Sequence, residues 1–232
     1  MKNIFLVDAD DTLLDFHGAS GYALKHCFSV FHEAWDEIFL QVFKRINDGL
    51  WAALERKEIS REELIKTRFS LYLNELGKEI DAEQFNREYL QYIATNPMYF
   101  SGAEEFLLEL NKRGKIYIVT NGTEWIQKSR FQRSGLNGYA EKVFISDVVG
   151  YNKPDLRYTR HVIDNIEDFA MERAVWIGDS LSADVAAANA VGMDCILYDT
   201  TGEKQKEGIK PNYIAKNYKE ILDILEKMAV DN

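Results

Sequence analysis

Phe5-Leu6-Val7-Asp8-Ala9-Asp10-Asp11-Thr12-Leu13 passes from a short apolar run straight into three carboxylates and a threonine. The apolar residues read as a strand buried on both faces, the habit of parallel sheets. Folding alone gives no reason to crowd like charges at a strand end. At an effective dielectric near 20, each close pair costs roughly 4 kcal/mol. A cation placed there offsets the repulsion. Asp8 and Asp10 are two apart in an extended segment, so one carboxylate and one backbone carbonyl can face the same ion, and oxygen-only ligation suits Mg²⁺. Taken by itself, the segment also fits a charged turn after an edge strand.

Three further segments repeat the pattern. Lys115-Ile116-Tyr117-Ile118-Val119 ends in Thr120-Asn121-Gly122, and Val143-Phe144-Ile145 leads to Gly150-Tyr151-Asn152-Lys153-Pro154. Ala174-Val175-Trp176-Ile177 ends in Gly178-Asp179-Ser180-Leu181-Ser182-Ala183-Asp184. Helical stretches separate these runs, so the expected fold is α/β, a Rossmann-like parallel sheet with helices on both faces. In such sheets ligands bind outside the carboxyl ends of the strands, where all four polar clusters would converge. Met193–Tyr198 and Asn212–Ala215 read as later strands, and Tyr218–Met228 as a closing helix.

In this order, from Phe5 to Asp184, the four segments resemble the motifs of the haloacid dehalogenase (HAD) superfamily of phosphotransferases. The resemblance implies that Asp8 is a nucleophile forming an aspartyl-phosphate. Asp10 is then the general acid for the leaving group and the base for the attacking water. An aspartate at that position favours phosphate over carbon–halogen chemistry, because halide needs no proton. Lys153 would neutralise phosphate and Asp8 together, with Pro154 starting the next helix. Thr120, the N–H groups of Asn121 or Gly122, and those around Ala9 to Asp11 would hold phosphoryl oxygens. Asp11 stands where the family commonly has glycine. Thr12 fixes the loop, Asp8, Asp10 and Asp179 hold Mg²⁺, and Asp184 ligates through water or orients Lys153.

Between Asp15 and Pro97 the strand pattern gives way to helices. Ala19–Phe31 and Trp35–Ile46 are amphipathic, and Ser60-Arg61-Glu62-Glu63 is a capping box for a helix that Gly77 stops. Asp81-Ala82-Glu83-Gln84 opens another. Ser101-Gly102-Ala103-Glu104 reads as a second capping box, while Thr123–Ser134, Asp155–Asn165 and Ser182–Ala190 supply crossover helices. The domain reading is a catalytic core of residues 1–15 and 98–232, with residues 16–97 an inserted helical module that works as a lid and that the resemblance identifies as a cap of the C1 type. Extra helices that merely stabilise the core are the competing reading.

Within the cap, Ile46-Asn47-Asp48-Gly49-Leu50-Trp51, Glu58-Ile59 and Arg68-Phe69 resemble a branch of 5′-nucleotidases acting on pyrimidine nucleoside monophosphates in a house-cleaning role. Trp51 or Phe69 would stack a base, and Arg68 or Asn47 would bond its edge or the sugar, with packing in the cap's own core the competing reading of the aromatics. A small-metabolite phosphatase, acting on phosphoglycolate or a sugar phosphate, shares the same core; a non-catalytic scaffold is a third reading. The formal charge of −10 over 232 residues argues against polymeric nucleic acid as a partner. Cys27 and Cys195 read as reduced thiols, and with no membrane span or signal peptide the expected location is cytoplasmic. Oligomeric state is left open.

Overall fold

The computed structural model describes residues 1–202, 204 and 208–230. The chain divides into two compact units, Met1–Asp15 with Met98–Asn232, and Phe16–Pro97. The described residues of the first unit form a six-stranded parallel sheet in the order β3-β2-β1-β4-β5-β6. Its strands are β1 (Ile4–Val7), β2 (Lys115–Thr120), β3 (Lys142–Ile145), β4 (Ala174–Gly178), β5 (Cys195–Tyr198) and β6 (Tyr213–Ala215).

Both faces are apolar because residues alternate across a strand. Phe5, Val7, Ile118 and Ile177 point to one face, where Phe106, Leu110, Phe131 and Ile221 cover them. Ile4, Leu6, Val119 and Trp176 point to the other, covered by Tyr158, Val162 and Ala187. The covering helices are α5 (Ala103–Arg113), α6 (Glu124–Ser134), α7 (Ser146–Val149), α8 (Leu156–Asp164), α9 (Ala186–Asn189) and α10 (Tyr218–Val230). Register sets the site: Val7 pairs with Ile118 on one side and Ile177 on the other. The residues following β1 therefore lie level with Val119–Thr120 and Gly178–Asp179.

The second unit consists of α1 (Phe16–Val30), α2 (Ile38–Glu55), α3 (Arg61–Glu75) and α4 (Ala82–Thr95). Phe28, Phe43, Phe69, Tyr72, Phe85 and Tyr89 form its aromatic core. The Ser60 capping box forms, with both the Glu63 N–H to Ser60 Oγ bond and its reciprocal present. Losing such a cap costs about 1 kcal/mol. Asp81 caps α4 through the Gln84 N–H.

Several local expectations are corrected. The second helix runs Ile38–Glu55, past Asp48-Gly49, because burial of Phe43, Ile46 and Leu54 along one face outweighs the roughly 1 kcal/mol that a helical glycine costs. Ser101 makes no capping box; Gly102, at φ 84°, is the N-cap of α5 and lends no side chain. Pro154 does not start α8. It follows a cis Lys153–Pro154 peptide, and Asp155 caps the helix by accepting the Arg157 N–H. After β4 the chain forms a π-helical turn, Leu181–Val185, before α9.

Candidate active site

Asp8 is the first residue beyond β1, and its N–H donates to Ile177 O at 2.9 Å, which ties it to β4. Its side chain is buried, and Oδ1 accepts from Lys153 Nζ at 2.5 Å. Lys153 Nζ also donates to Asp184 Oδ1 at 2.7 Å and to Val119 O at 2.8 Å. Three ammonium protons thus meet three acceptors, which a fully buried lysine needs. Burial alone would drive the Lys153 pKa down, but the Asp184 and Asp8 carboxylates outweigh it and hold the pKa above the usual lysine value. Burial pushes Asp8 well above the usual aspartate range; Lys153 opposes this, and Asp184 and Asp179 reinforce it.

Asp184 is fixed by donors on both oxygens. Oδ1 accepts from Trp176 Nε1 at 3.1 Å as well as from Lys153, and Oδ2 accepts the Ser180 N–H at 3.1 Å. Gly178 leaves room for that carboxylate, since a Cβ there would collide with it. Asp179 pairs through Oδ2 with Lys204 Nζ at 2.8 Å, and burial raises its pKa to about 6 against the pull of Lys204. Oxygens of Asp8, Asp179 and Asp184 lie within 4.8 Å of one another. Three hard oxygen donors against the single charge of Lys153 fit a small divalent cation, with Lys204 the competing cation at Asp179.

Asp10 has partners of its own. Its Oδ2 accepts from Gln127 Nε2 at 2.8 Å, and Oδ1 ion-pairs with Arg130 Nη2 at 2.6 Å. Gln127 Nε2 also donates to Thr120 Oγ1 at 2.9 Å, and Arg130 Nη1 donates to Gln127 Oε1 at 2.7 Å. Sequence reasoning misses Gln127 and Arg130. Their signal is faint: two polar residues at i, i+3 on the same face of α6 as Ile126 and Phe131. It misses Lys204, Trp176 and Ser146 as well.

The loop residues divide. Thr12 Oγ1 donates to Asp8 Oδ2 at 3.4 Å, and Thr12 O accepts from Tyr218 Oη at 2.7 Å. Thr120 is fully buried at the end of β2. Asn121 joins two loops: its Nδ2 donates to Lys153 O at 3.0 Å, and its Oδ1 accepts the Lys153 N–H at 2.8 Å. Two expected phosphate donors are already committed. The Asp11 N–H goes to Leu14 O at 2.7 Å and the Gly122 N–H to Ser146 Oγ at 3.1 Å. Asp11 sits at φ 57°, a left-handed conformation that glycine tolerates best and aspartate better than most.

In the helical unit, Phe69 is 1% exposed and packs on Phe43, Tyr72, Phe85 and Tyr89. Its ring is surrounded, so the expectation that it stacks a base is corrected: it belongs to the unit's core. Arg68 is buried beside it, its guanidinium 4.9 Å from the Phe69 ring and 5.0 Å from Tyr89. Arg68 donates to Asn47 Oδ1 and Asn86 Oδ1, both at 3.2 Å, and burial lowers its pKa. Trp51 is half-buried, with Arg61 5.9 Å from its ring.

Among the described residues no helix is long and apolar enough to cross a membrane. A family model for haloacid dehalogenase-like hydrolases matches residues 2–192. The pyrimidine 5′-nucleotidase PynA of Streptococcus pneumoniae is 35% identical over 97% of this chain and 96% of its own. The pyrimidine 5′-nucleotidase YjjG of Escherichia coli is 24% identical over 95% and 96%. The crystal structure of the HAD-hydrolase YfnB of Bacillus subtilis, bound to magnesium, is 32% identical and superposes with a TM-score of 0.91, covering 97% of this chain and 98% of that one.

Proposed function

The chain belongs to the haloacid dehalogenase-like hydrolases, and on that footing we propose that it is a Mg²⁺-dependent 5′-nucleotidase of pyrimidine nucleoside monophosphates. One observation carries the phosphatase chemistry: a buried carboxylate, Asp8, held by Lys153, with a second carboxylate, Asp10, two residues on and held by Gln127. The pyrimidine preference is supported by the likeness to two pyrimidine 5′-nucleotidases.

An Asp8 oxygen attacks phosphorus, the bond from phosphorus to the ester oxygen breaks, and Asp10 gives the departing alkoxide its proton. Water then attacks the aspartyl-phosphate, its proton passes to Asp10, and inorganic phosphate leaves as the Asp8 carboxylate returns. Lys153 keeps an oxygen of Asp8 aimed and offsets the repulsion between nucleophile and anionic substrate. Asp184 and Val119 O hold Lys153 in place. Thr120 offers a hydroxyl to a phosphoryl oxygen. Asp8, Asp179 and the Asp10 carbonyl would hold Mg²⁺, which when bound supplies charge neutralisation for the phosphoryl oxygens. The helical unit Phe16–Pro97 is assigned the role of cap, with Trp51, Arg68 and Asn47 as its candidate substrate residues.

The test is phosphate release with Mg²⁺ from UMP, dUMP, dTMP, AMP, GMP, phosphoglycolate and several sugar phosphates. The expected result is preference for pyrimidine monophosphates, abolished by EDTA and restored by Mg²⁺. Preference for a small acid or a sugar phosphate refutes the nucleotide reading and keeps the chemistry. Release from none of them refutes both.

A further inference from the structure

Both polar atoms at the end of the Gln127 side chain are engaged. The amide nitrogen bridges Asp10 and Thr120, which sit at the ends of adjacent strands, and the amide oxygen receives Arg130. Arg130 is 1% exposed in its side chain, and its other terminal nitrogen meets the second oxygen of Asp10. A buried guanidinium is expensive unless paired, and here its carboxylate is one that the reaction uses. Gly122 supplies an independent sign that this arrangement is built for. A Cβ at Gly122 would come 2.7 Å from Gln127 Cγ and 2.9 Å from Cδ, so the turn after β2 stays bare where the Gln127 side chain passes.

We infer that Gln127 and Arg130 are positioning residues that orient the Asp10 carboxylate for proton transfer and couple it to the Thr120 hydroxyl. The inference rests on the phosphatase reading above. Without the pair, Asp10 keeps its place in the chain but its carboxylate is free to rotate about χ1 and χ2. Loss of Arg130 reaches the proton-transfer function alone, because the bonds that hold Asp8, Lys153 and Asp179 come from other residues and Thr120 keeps its bond to Gln127. Substrate binding is expected to stay nearly intact while steps that need a correctly aimed Asp10 slow down.

The test compares Arg130→Met, Arg130→Lys and Gln127→Met with wild type on two substrates. With UMP, whose alkoxide needs a proton, kcat falls about 10–100-fold in Arg130→Met and KM moves less than about threefold. With p-nitrophenyl phosphate, whose phenolate leaves unprotonated, single-turnover release of p-nitrophenolate changes by less than about threefold. Arg130→Lys recovers part of the UMP rate. Gln127→Met, which also frees Thr120, loses more on UMP than on p-nitrophenyl phosphate, and that difference carries the test should Arg130→Met fail to fold. Equal losses on both substrates, or a change confined to KM, would overturn the positioning role while leaving the phosphatase reading intact. A wild-type protein that hydrolyses neither substrate would overturn both.

Discussion

Replacing Lys153 with methionine removes the cation that meets both Asp8 and Asp184, and the consequence can be worked out from the geometry. Nζ lies 2.5 Å from Asp8 Oδ1 and 2.7 Å from Asp184 Oδ1. At an effective dielectric of 20 the gross attraction is roughly 6 kcal/mol per pair. Desolvation of three buried charges cancels most of that sum. What remains decisive is the asymmetry: losing one member of a buried ion pair typically costs about 3–5 kcal/mol, because the survivor stays buried and unpaired. Lys153→Met is therefore expected to lose about 3–5 kcal/mol of unfolding free energy in EDTA at neutral pH, measured by urea denaturation. The sharper assay is the double-mutant cycle with Asp184→Asn. Asparagine removes one of the stranded charges, although it leaves the Trp176 and Ser180 donors one oxygen to share, at a cost of about 1 kcal/mol. The double variant should thus be less destabilised than the sum of the singles by about 2 kcal/mol or more. Additivity within about 0.5 kcal/mol would refute the claim that Lys153 and Asp184 act as one unit.

Asp8→Asn should fold and lose phosphate release, because the amide is no nucleophile while Lys153 keeps Asp184 and Val119 O as partners; turnover near the wild-type rate would refute the mechanism. Asp179, raised to about 6 by burial, binds a proton more readily in the native than in the unfolded protein between its ordinary 3.8 and about 6. Stability of the metal-free protein relative to Asp179→Asn should accordingly fall as pH rises through that window, by at most about 3 kcal/mol and less for partial exposure. Urea midpoints at about pH 4, 5, 6 and 7 check the sign, and Mg²⁺ near neutral pH should raise the wild-type midpoint more than that of Asp179→Asn. Gly178→Ala should push the Asp184 carboxylate aside and cost about 1–3 kcal/mol, visible as a lower melting temperature and altered near-ultraviolet dichroism of Trp176.

The legibility of the site depends on the range of the interaction involved. The sheet is readable because Phe5-Leu6-Val7 and Ala174-Val175-Trp176-Ile177 are apolar on both faces, a property of each segment taken alone. Lys153 and Asp184 are singled out by the resemblance to the superfamily motifs, since the strands they follow, β3 and β4, are not neighbours in the sheet. Register then does the rest: Val7 opposite Ile118 and Ile177 places Asp8 beside Val119 and Gly178. Phe69 misleads because a sequence does not say which face of an aromatic ring is already covered. Its neighbours Phe43, Phe85 and Tyr89 come from α2 and α4, and their packing is fixed only when three helices assemble. The N–H groups of Asp11 and Gly122 mislead for the same reason, since their acceptors, Leu14 O and Ser146 Oγ, are set by turn geometry and by the chain beyond a neighbouring strand.

Gln127 and Arg130 illustrate the opposite failure, a pair with no motif to announce it. On α6 they read as ordinary polar residues, yet both are 1% exposed. A helix on a sheet face normally turns apolar residues inward, so two polar residues facing in require a partner of matching polarity on the sheet side. The loop after β1 holds the nearby carboxylate of Asp10, and β2 ends in the hydroxyl of Thr120. Burial of Gln127 and Arg130 is thus explained by the same residue that the proposed chemistry uses. Asp10→Ala takes from the buried guanidinium the carboxylate it meets at 2.6 Å, and the expected loss of stability is about 3 kcal/mol, read from urea denaturation. A loss no larger than the surface norm of about 0.5 kcal/mol would sink that explanation, because a buried arginine that does not miss its carboxylate was never placed there to hold it.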